Sequence, residues 1–78
     1  MIGVRNKQVM RTFGERLREL REQKQMSQAQ LAHRAQIVPS QVGRIERGQI
    51  NASICTIVNL AAALEVPVPL LMTFDATH

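Results

Sequence analysis

The sequence has few of the features that disulfide bonding, secretion or membrane insertion requires. Cys55 is its single cysteine, so no internal disulfide can form, which fits a reducing compartment. Its helix-like surroundings predict a buried structural thiol rather than a nucleophile. No apolar run approaches 18 residues, and the start, MIGVRNKQVMR, lacks the apolar core of a signal peptide. We therefore expect a cytoplasmic protein with no membrane partner.

The sequence also lacks the residue groups that enzymes need. It has no paired acids and no cluster of metal ligands, and its two histidines, His33 and His78, stand alone. A chain of 78 residues makes one domain, with no room for a large enzyme cleft. No enzymatic activity, metal, cofactor or small-molecule ligand is predicted.

Basic residues are absent from the last 30 residues. Residues 1–48 hold all ten Lys and Arg and four of the six acids, whereas residues 49–78 hold only Glu65 and Asp75. This asymmetry indicates one surface for a polyanion and a second, apolar surface that packs on the core or on a partner. The alternative is a small domain that is basic without a binding purpose.

Helix signals are dense and strand signals are weak. TFGE at residues 12–15 reads as a capping box, in which Thr12 would be the N-cap. The first helix is predicted over about residues 10–23, so its start before Thr12 is also left open. Phe13, Leu17 and Leu20 then form its apolar stripe. SQAQ at residues 27–30 is a second capping box, and it opens a helix of about eight residues.

Three more helices follow. Pro39 suits the first turn of a third helix over about residues 39–47, which Gly48 would end. A fourth helix is predicted over about residues 53–64, capped by Asn51 or Ser53, and Pro69 starts a short fifth helix that extends to about Phe74. The prediction is an all-α domain over residues 10–74, with a partly flexible arm at 1–9 and a tail at 75–78.

The third helix has two opposed faces. At helical spacing, Val38, Val42 and Ile45 fall on one side and predict an anchor to the core. Ser40, Arg44 and Arg47 fall on the other side, where they face outward. Two short helices joined by three residues, the second with a polar outer face, form the helix-turn-helix pattern.

The segments LRELR, SQAQLA, IERG and LAAALEV, in this order and spacing, extend the pattern over about 60 residues. In them the chain resembles the phage-repressor/Cro-type (XRE family) helix-turn-helix domains, including small stand-alone regulators such as restriction–modification controller proteins. The resemblance implies a compact five-helix lambda-repressor-like fold. It also implies that the third helix enters the DNA major groove while the second crosses the backbone.

These expectations assign DNA contacts to named residues. Arg44 is the main candidate for base readout, since arginine pairs bidentately with guanine, and Ser40 and Gln41 lie beside it. Backbone phosphates are expected near helix starts and the loop after the third helix. The predicted phosphate contacts are Arg11, Thr12, Ser27, Gln28, Arg47 and Asn51.

Other positions have structural roles or depart from the family pattern. The resemblance implies a partly buried ion pair between Arg21 and Glu46, which links the first and third helices. Gln36 stands where the family often has a left-handed glycine, so we expect Gln36 to sit in a different turn. Gly43, inside the third helix, suits either close approach to DNA or tight packing.

The apolar C-terminal segment has two readings. Its many apolar residues predict a homodimer interface that would let two copies read a palindrome. The interface residues would be Val66, Val68, Leu70, Leu71 and Phe74, although these residues alternatively only close the monomer core. The favoured function is a homodimeric, double-stranded DNA-binding transcription regulator, as repressor or autoregulator. The alternatives are a protein-interaction module, such as an antitoxin or bridging factor, and an RNA-binding module, which the lack of stacking aromatics disfavours.

Overall fold

The computed structural model describes residues 6–74, which fold into five α-helices and contain no strand. This confirms the predicted all-α class. The helices are α1 (Lys7–Gln23), α2 (Gln28–Ala35), α3 (Pro39–Glu46), α4 (Ile54–Leu64) and α5 (Val68–Leu71). The predicted tail at 75–78 and most of the predicted arm lie outside the described residues. Among the described helices, none has the length and apolar character to cross a membrane.

Helix α1 begins earlier than the sequence pattern predicted. Asn6 is its N-cap, and the Asn6 side chain accepts a hydrogen bond from the backbone N–H of Val9 at 3.1 Å. The predicted capping box at Thr12 is therefore wrong. Thr12 lies inside the helix, where its hydroxyl donates to the carbonyl oxygen of Gln8 at 2.7 Å. Residues 7–9 of the predicted arm are helical because Asn6 is as good an N-cap residue as threonine.

Helix α2 has the predicted capping box, but its end differs from expectation. The Ser27 hydroxyl accepts from the Gln30 N–H at 3.0 Å, and the Ser27 N–H donates to Gln30 Oε1 at 2.8 Å. Gln36 adopts the left-handed conformation, with φ 61°, so the expectation of a different turn is wrong. The cost of about 1–2 kcal/mol is offset because Gln36 and Ile37 donate their N–H groups to the last carbonyls of α2.

The core forms where α1, α2, α3 and α4 meet. It is built mainly from fully buried aliphatic side chains: Leu17, Leu31, Val42, Ile45, Leu60, Leu64 and Leu71. Gly14 lets α1 approach the end of α3, because a Cβ at this position would lie 2.3 Å from the carbonyl oxygen of Ile45. This contact places the middle of α1 close to the C-terminal end of α3.

Helix α4 packs by a narrower face than its sequence suggests. Ser53 caps it, and its buried residues are Leu60, Ala61, Ala63 and Leu64. Ile54 and Cys55 point away from the core and are exposed. The prediction of a buried Cys55 thiol is therefore wrong, because the apolar run around it continues across the solvent face.

Helix α5 is shorter than predicted and starts two residues after Val66. Its N-cap is Pro67 and it ends at Leu71, so the predicted helix from Pro69 to Phe74 is wrong in both bounds. The ring of Phe74 instead packs edge-on against Phe13 of α1, with 6.1 Å between centroids. Arg16 of α1 donates two hydrogen bonds to the carbonyl oxygen of Leu70, at 3.1 and 3.2 Å, and holds α5 in place.

Candidate nucleic-acid interface

Helix α3 presents a polar outer face over a buried apolar underside. Val42 and Ile45 are buried, whereas Ser40 and Arg44 are exposed and Gln41 is half-buried. Val38, predicted to help anchor the helix, is instead 59% exposed. As the N-cap residue it has extended backbone angles, so it precedes the helix and does not continue its apolar stripe.

A cationic cleft borders this face where α1 meets the end of α3. It is lined by Lys7, Gln8, Arg11, Arg47, Gly48 and Gln49. Gly48 makes the contact possible: its φ is +71°, and a Cβ there would lie 2.8 Å from the α-carbon of Arg11. The structure thus brings the predicted phosphate residues Arg11 and Arg47 together. Lys7 was missed because α1 was predicted to start after it; the signal that could have found it is Asn6.

The other predicted phosphate residues differ in their surroundings. Thr12 is half-buried and its hydroxyl is bonded within α1. Ser27 is exposed at the start of α2, where the first backbone N–H groups have no acceptor one turn earlier. Asn51 is exposed, but it lines a small apolar pocket with Met10 and Ile57 rather than the cationic cleft.

The ion pair implied by the resemblance is present between α1 and α3. Arg21 Nε lies 2.6 Å from Glu46 Oε2, and Arg21 Nη2 donates to Glu46 Oε1 at 3.0 Å. The hydrogen bond to Glu46 is the main cause that raises the pKa of Arg21 above its ordinary value. A third Arg21 nitrogen donates to the carbonyl oxygen of Met26. Both side chains are largely buried, so the pair acts as a structural link.

Gln28 joins this ion pair from α2. Its Nε2 donates to Glu46 Oε1 at 3.0 Å, and the side chain is partly buried. One predicted phosphate ligand is therefore tied to the ion pair and held against α3. The amide keeps a second N–H, which remains available in principle for an acceptor outside the protein.

The predicted dimer residues are mostly committed to the monomer. Leu71 is fully buried, and Val66, Val68 and Phe74 pack against the core. These four residues therefore contribute to closing the monomer core, which is the alternative reading, and the predicted dimer interface stays a prediction. Leu70 is 40% exposed.

The described surface has the shape and charge for duplex DNA. A B-form major groove is about 12 Å wide and admits one α-helix, and α3 carries exposed hydroxyl and guanidinium groups on its outer face.

Within residues 6–74, no three His, Cys, Asp or Glu side chains group to hold a metal ion.

Comparison with known proteins agrees with this arrangement. A family model described as a helix-turn-helix domain matches residues 12–73, which include every described helix from most of α1 onward. The chain belongs to the helix-turn-helix domain family.

Its relatives place this helix-turn-helix protein among XRE-type regulators. It is 35% identical to the immunity repressor protein of Bacillus phage phi105 over 57 residues, which are 73% of this chain and 40% of that protein. It is 44% identical to the restriction–modification controller protein C.AhdI from Aeromonas hydrophila, whose crystal structure matches with a TM-score of 0.77, covering 81% of this chain and 94% of that one.

A third match extends over more of this chain. The hypothetical transcription factor NHTF from Neisseria is 27% identical, with a TM-score of 0.76, and the match covers 92% of this chain and 82% of that one. The family and these relatives together support DNA binding and regulation of transcription by the helix-turn-helix protein.

Proposed function

We propose that this chain is a homodimeric repressor or autoregulator that reads a palindromic DNA operator through α3. The observation that carries the proposal is the outer face of α3, where exposed Ser40 and Arg44 lie beside the cationic cleft around Arg47. A repressing role is supported by the likeness to the phage immunity repressor, although this chain spans only 40% of that protein's length.

The contacts divide into base readout and backbone positioning. Arg44 donates to guanine O6 and N7, with Ser40 and Gln41 on neighbouring base edges or phosphates. Arg11, Lys7 and Arg47 hold the backbone from the cleft, and the first N–H groups of α2 bind a further phosphate. Arg21 and Glu46 keep α1 and α3 in register without touching DNA.

The dimer surface is proposed on exposed apolar residues rather than on the buried ones. Ile54 and Val58 of α4 are 80% and 46% exposed, and Leu70 and Met72 are each 40% exposed. All four belong to the half of the chain that has no Lys or Arg, so two copies meet there without charge repulsion. DNA binding by the opposite, basic half is not blocked.

Selection of bound sites from random duplexes tests this function. The expected result is a palindrome with half-sites centred about 10 base pairs apart, or about 34 Å, because a two-fold dimer presents two copies of α3 to successive major grooves. A selection that enriches no sequence, or only a single asymmetric half-site, would contradict the homodimeric readout.

The exposed apolar residues also fit a different protein, as in an antitoxin or a bridging factor. In that case the purified chain would remain a monomer while still binding duplex DNA through α3. Sedimentation of the chain alone therefore separates the homodimer from this second candidate.

A further inference from the structure

A glycine in the middle of α3 lies under two side chains that come from different helices. A Cβ at Gly43 would stand 3.1 Å from Nη1 of Arg47 and 3.3 Å from Oε1 of Gln28. Gly43 is itself buried. The guanidinium of Arg47 and the amide of Gln28 therefore lie so close to Gly43 that a Cβ there would push each of them by a few tenths of an ångström.

The atoms over Gly43 are side-chain ends and not backbone. Helix packing at Gly14 differs, since a Cβ there would meet carbonyl oxygens of α3 at 2.3 and 2.7 Å. A glycine inside a helix lowers stability relative to alanine. The backbones of α2 and α3 leave room for a Cβ at Gly43. The effect of the glycine is therefore on the positions of the two polar groups, the Arg47 guanidinium and the Gln28 amide.

The Gln28 amide is fixed from its other side. Its Nε2 donates to Glu46 Oε1, and Glu46 is held in turn by two hydrogen bonds from Arg21. The second N–H of the amide and the guanidinium of Arg47 are then two donors from the start of α2 and the end of α3. An oxygen-rich anion such as a DNA phosphate accepts several such bonds at once.

We infer that Gly43 is a positioning residue, which lets Gln28 and Arg47 act together as a clamp on one backbone phosphate. The inference rests on the proposed docking of α3 and deepens it. Under this inference Gly43 has neither of the two roles that the sequence suggested, which were close approach to DNA and tight helix packing. It also explains why an α3 glycine with a helix-propensity cost is compatible with function.

The test compares Gly43→Ala, Arg47→Ala and the double variant on a generic duplex over a range of salt concentrations. Arg47→Ala is expected to reduce the salt slope by about 0.9 for each bound protomer, because one phosphate contact is lost. Gly43→Ala keeps the charge of Arg47, so its slope should stay close to that of the unmodified protein, but its affinity for the duplex should fall, because the added methyl group moves both donors of the clamp by a few tenths of an ångström. The double variant should lose no more than Arg47→Ala alone, since both changes remove the same contact.

Two controls keep the result clear. Arg18→Ala removes one exposed charge of α1 that pairs with Glu22, and it should keep the slope of the unmodified protein. Thermal melting of Gly43→Ala should be unchanged or raised; a lowered melting temperature would show that the glycine serves packing and would overturn the inference. An unchanged duplex affinity for Gly43→Ala, or additive losses of affinity in the double variant, would also overturn it. Because the duplex lacks the operator, the outcome does not depend on base readout by Arg44.

Discussion

Arg21, Glu46 and Gln28 form a chain of buried hydrogen bonds that connects α1, α3 and α2. The carboxylate of Glu46 accepts all of these bonds and lies almost entirely out of solvent, with 3% of its side chain exposed. A buried ion pair adds little stability compared with well-packed apolar residues of similar volume. Removal of one partner, however, leaves the other charge buried without a counter-charge. The hydrogen bond to Glu46 raises the pKa of Arg21, so this arginine stays charged at any pH below its ordinary pKa.

Glu46→Ala should therefore lower the free energy of unfolding by about 3–5 kcal/mol, since Arg21 loses its counter-charge in a buried site. Glu19→Ala is the matched control. Glu19 pairs with Arg16 at the surface, with 56% of its side chain exposed, and such pairs contribute about 0–1 kcal/mol. Urea unfolding of both variants measures the difference, and equal stabilities would refute the structural role of Glu46.

The surface or core position of a single residue was predicted correctly only where its residue type favours one of the two. Arg44 and Ser40 stand on the outer face as their spacing indicated. Val38 did not follow its stripe, because it is the N-cap residue with extended backbone angles, and helical spacing does not apply to a residue that precedes Pro39. The clamp over Gly43 was beyond sequence reasoning, since it depends on two side chains that only the fold brings to the same place.

At the scale of elements, the caps decide where helices start, and two possible caps preceded α1. Both Asn6 and Thr12 are good N-cap residues, and the sequence pattern favoured Thr12 because Glu15 completes a capping box. The structure uses Asn6, which adds three residues before the predicted start of α1 and brings Lys7 to the cationic cleft.

Asn6→Ala should lower the free energy of unfolding by about 1 kcal/mol, because the N–H of Val9 loses its acceptor. Thr12→Ala should have little effect, since its hydroxyl only bonds a carbonyl within the helix. Thermal melting followed by circular dichroism measures both. A larger loss from Thr12→Ala than from Asn6→Ala would place the helix start at Thr12.

Helix α4 was the element whose orientation the sequence could not give. Its segment ICTIVNLAAAL is apolar at all but two positions, so periodicity does not identify the face that meets the core. Cys55 was placed wrongly for this reason, and Ile54 beside it is also exposed. The same feature has a physical meaning, because a helix that is apolar on every side usually has partners on more than one side.

At the scale of the whole molecule, charge and apolar surface are separated. Among residues 6–74, four of the five exposed large hydrophobic residues lie in the part of the chain without Lys or Arg, and Val38 is the exception. The composition predicted this division of the chain. It could not show which apolar residues are exposed, since four of the five C-terminal residues named from the sequence pack on the core while Leu70 is exposed.

The double variant Ile54→Ser/Val58→Ser should weaken self-association of the chain at least about tenfold, which corresponds to about 1.4 kcal/mol. Both side chains are exposed in the monomer, so its folding should change little. Val38→Ser, which changes an exposed apolar residue of the basic half, is the control and should keep the association constant. Sedimentation at tens of micromolar measures all three proteins, and a monomeric unmodified chain would refute the homodimer.

The most direct test of base readout by α3 is the affinity of Arg44→Ala for the selected operator and for a generic duplex. A bidentate arginine–guanine contact is worth about 1–3 kcal/mol per site, so we expect Arg44→Ala to lose at least about fivefold in the ratio of the two affinities. Arg18→Ala, which also removes one exposed positive charge, should keep the ratio. An unchanged ratio for Arg44→Ala would contradict the proposal that α3 reads the operator.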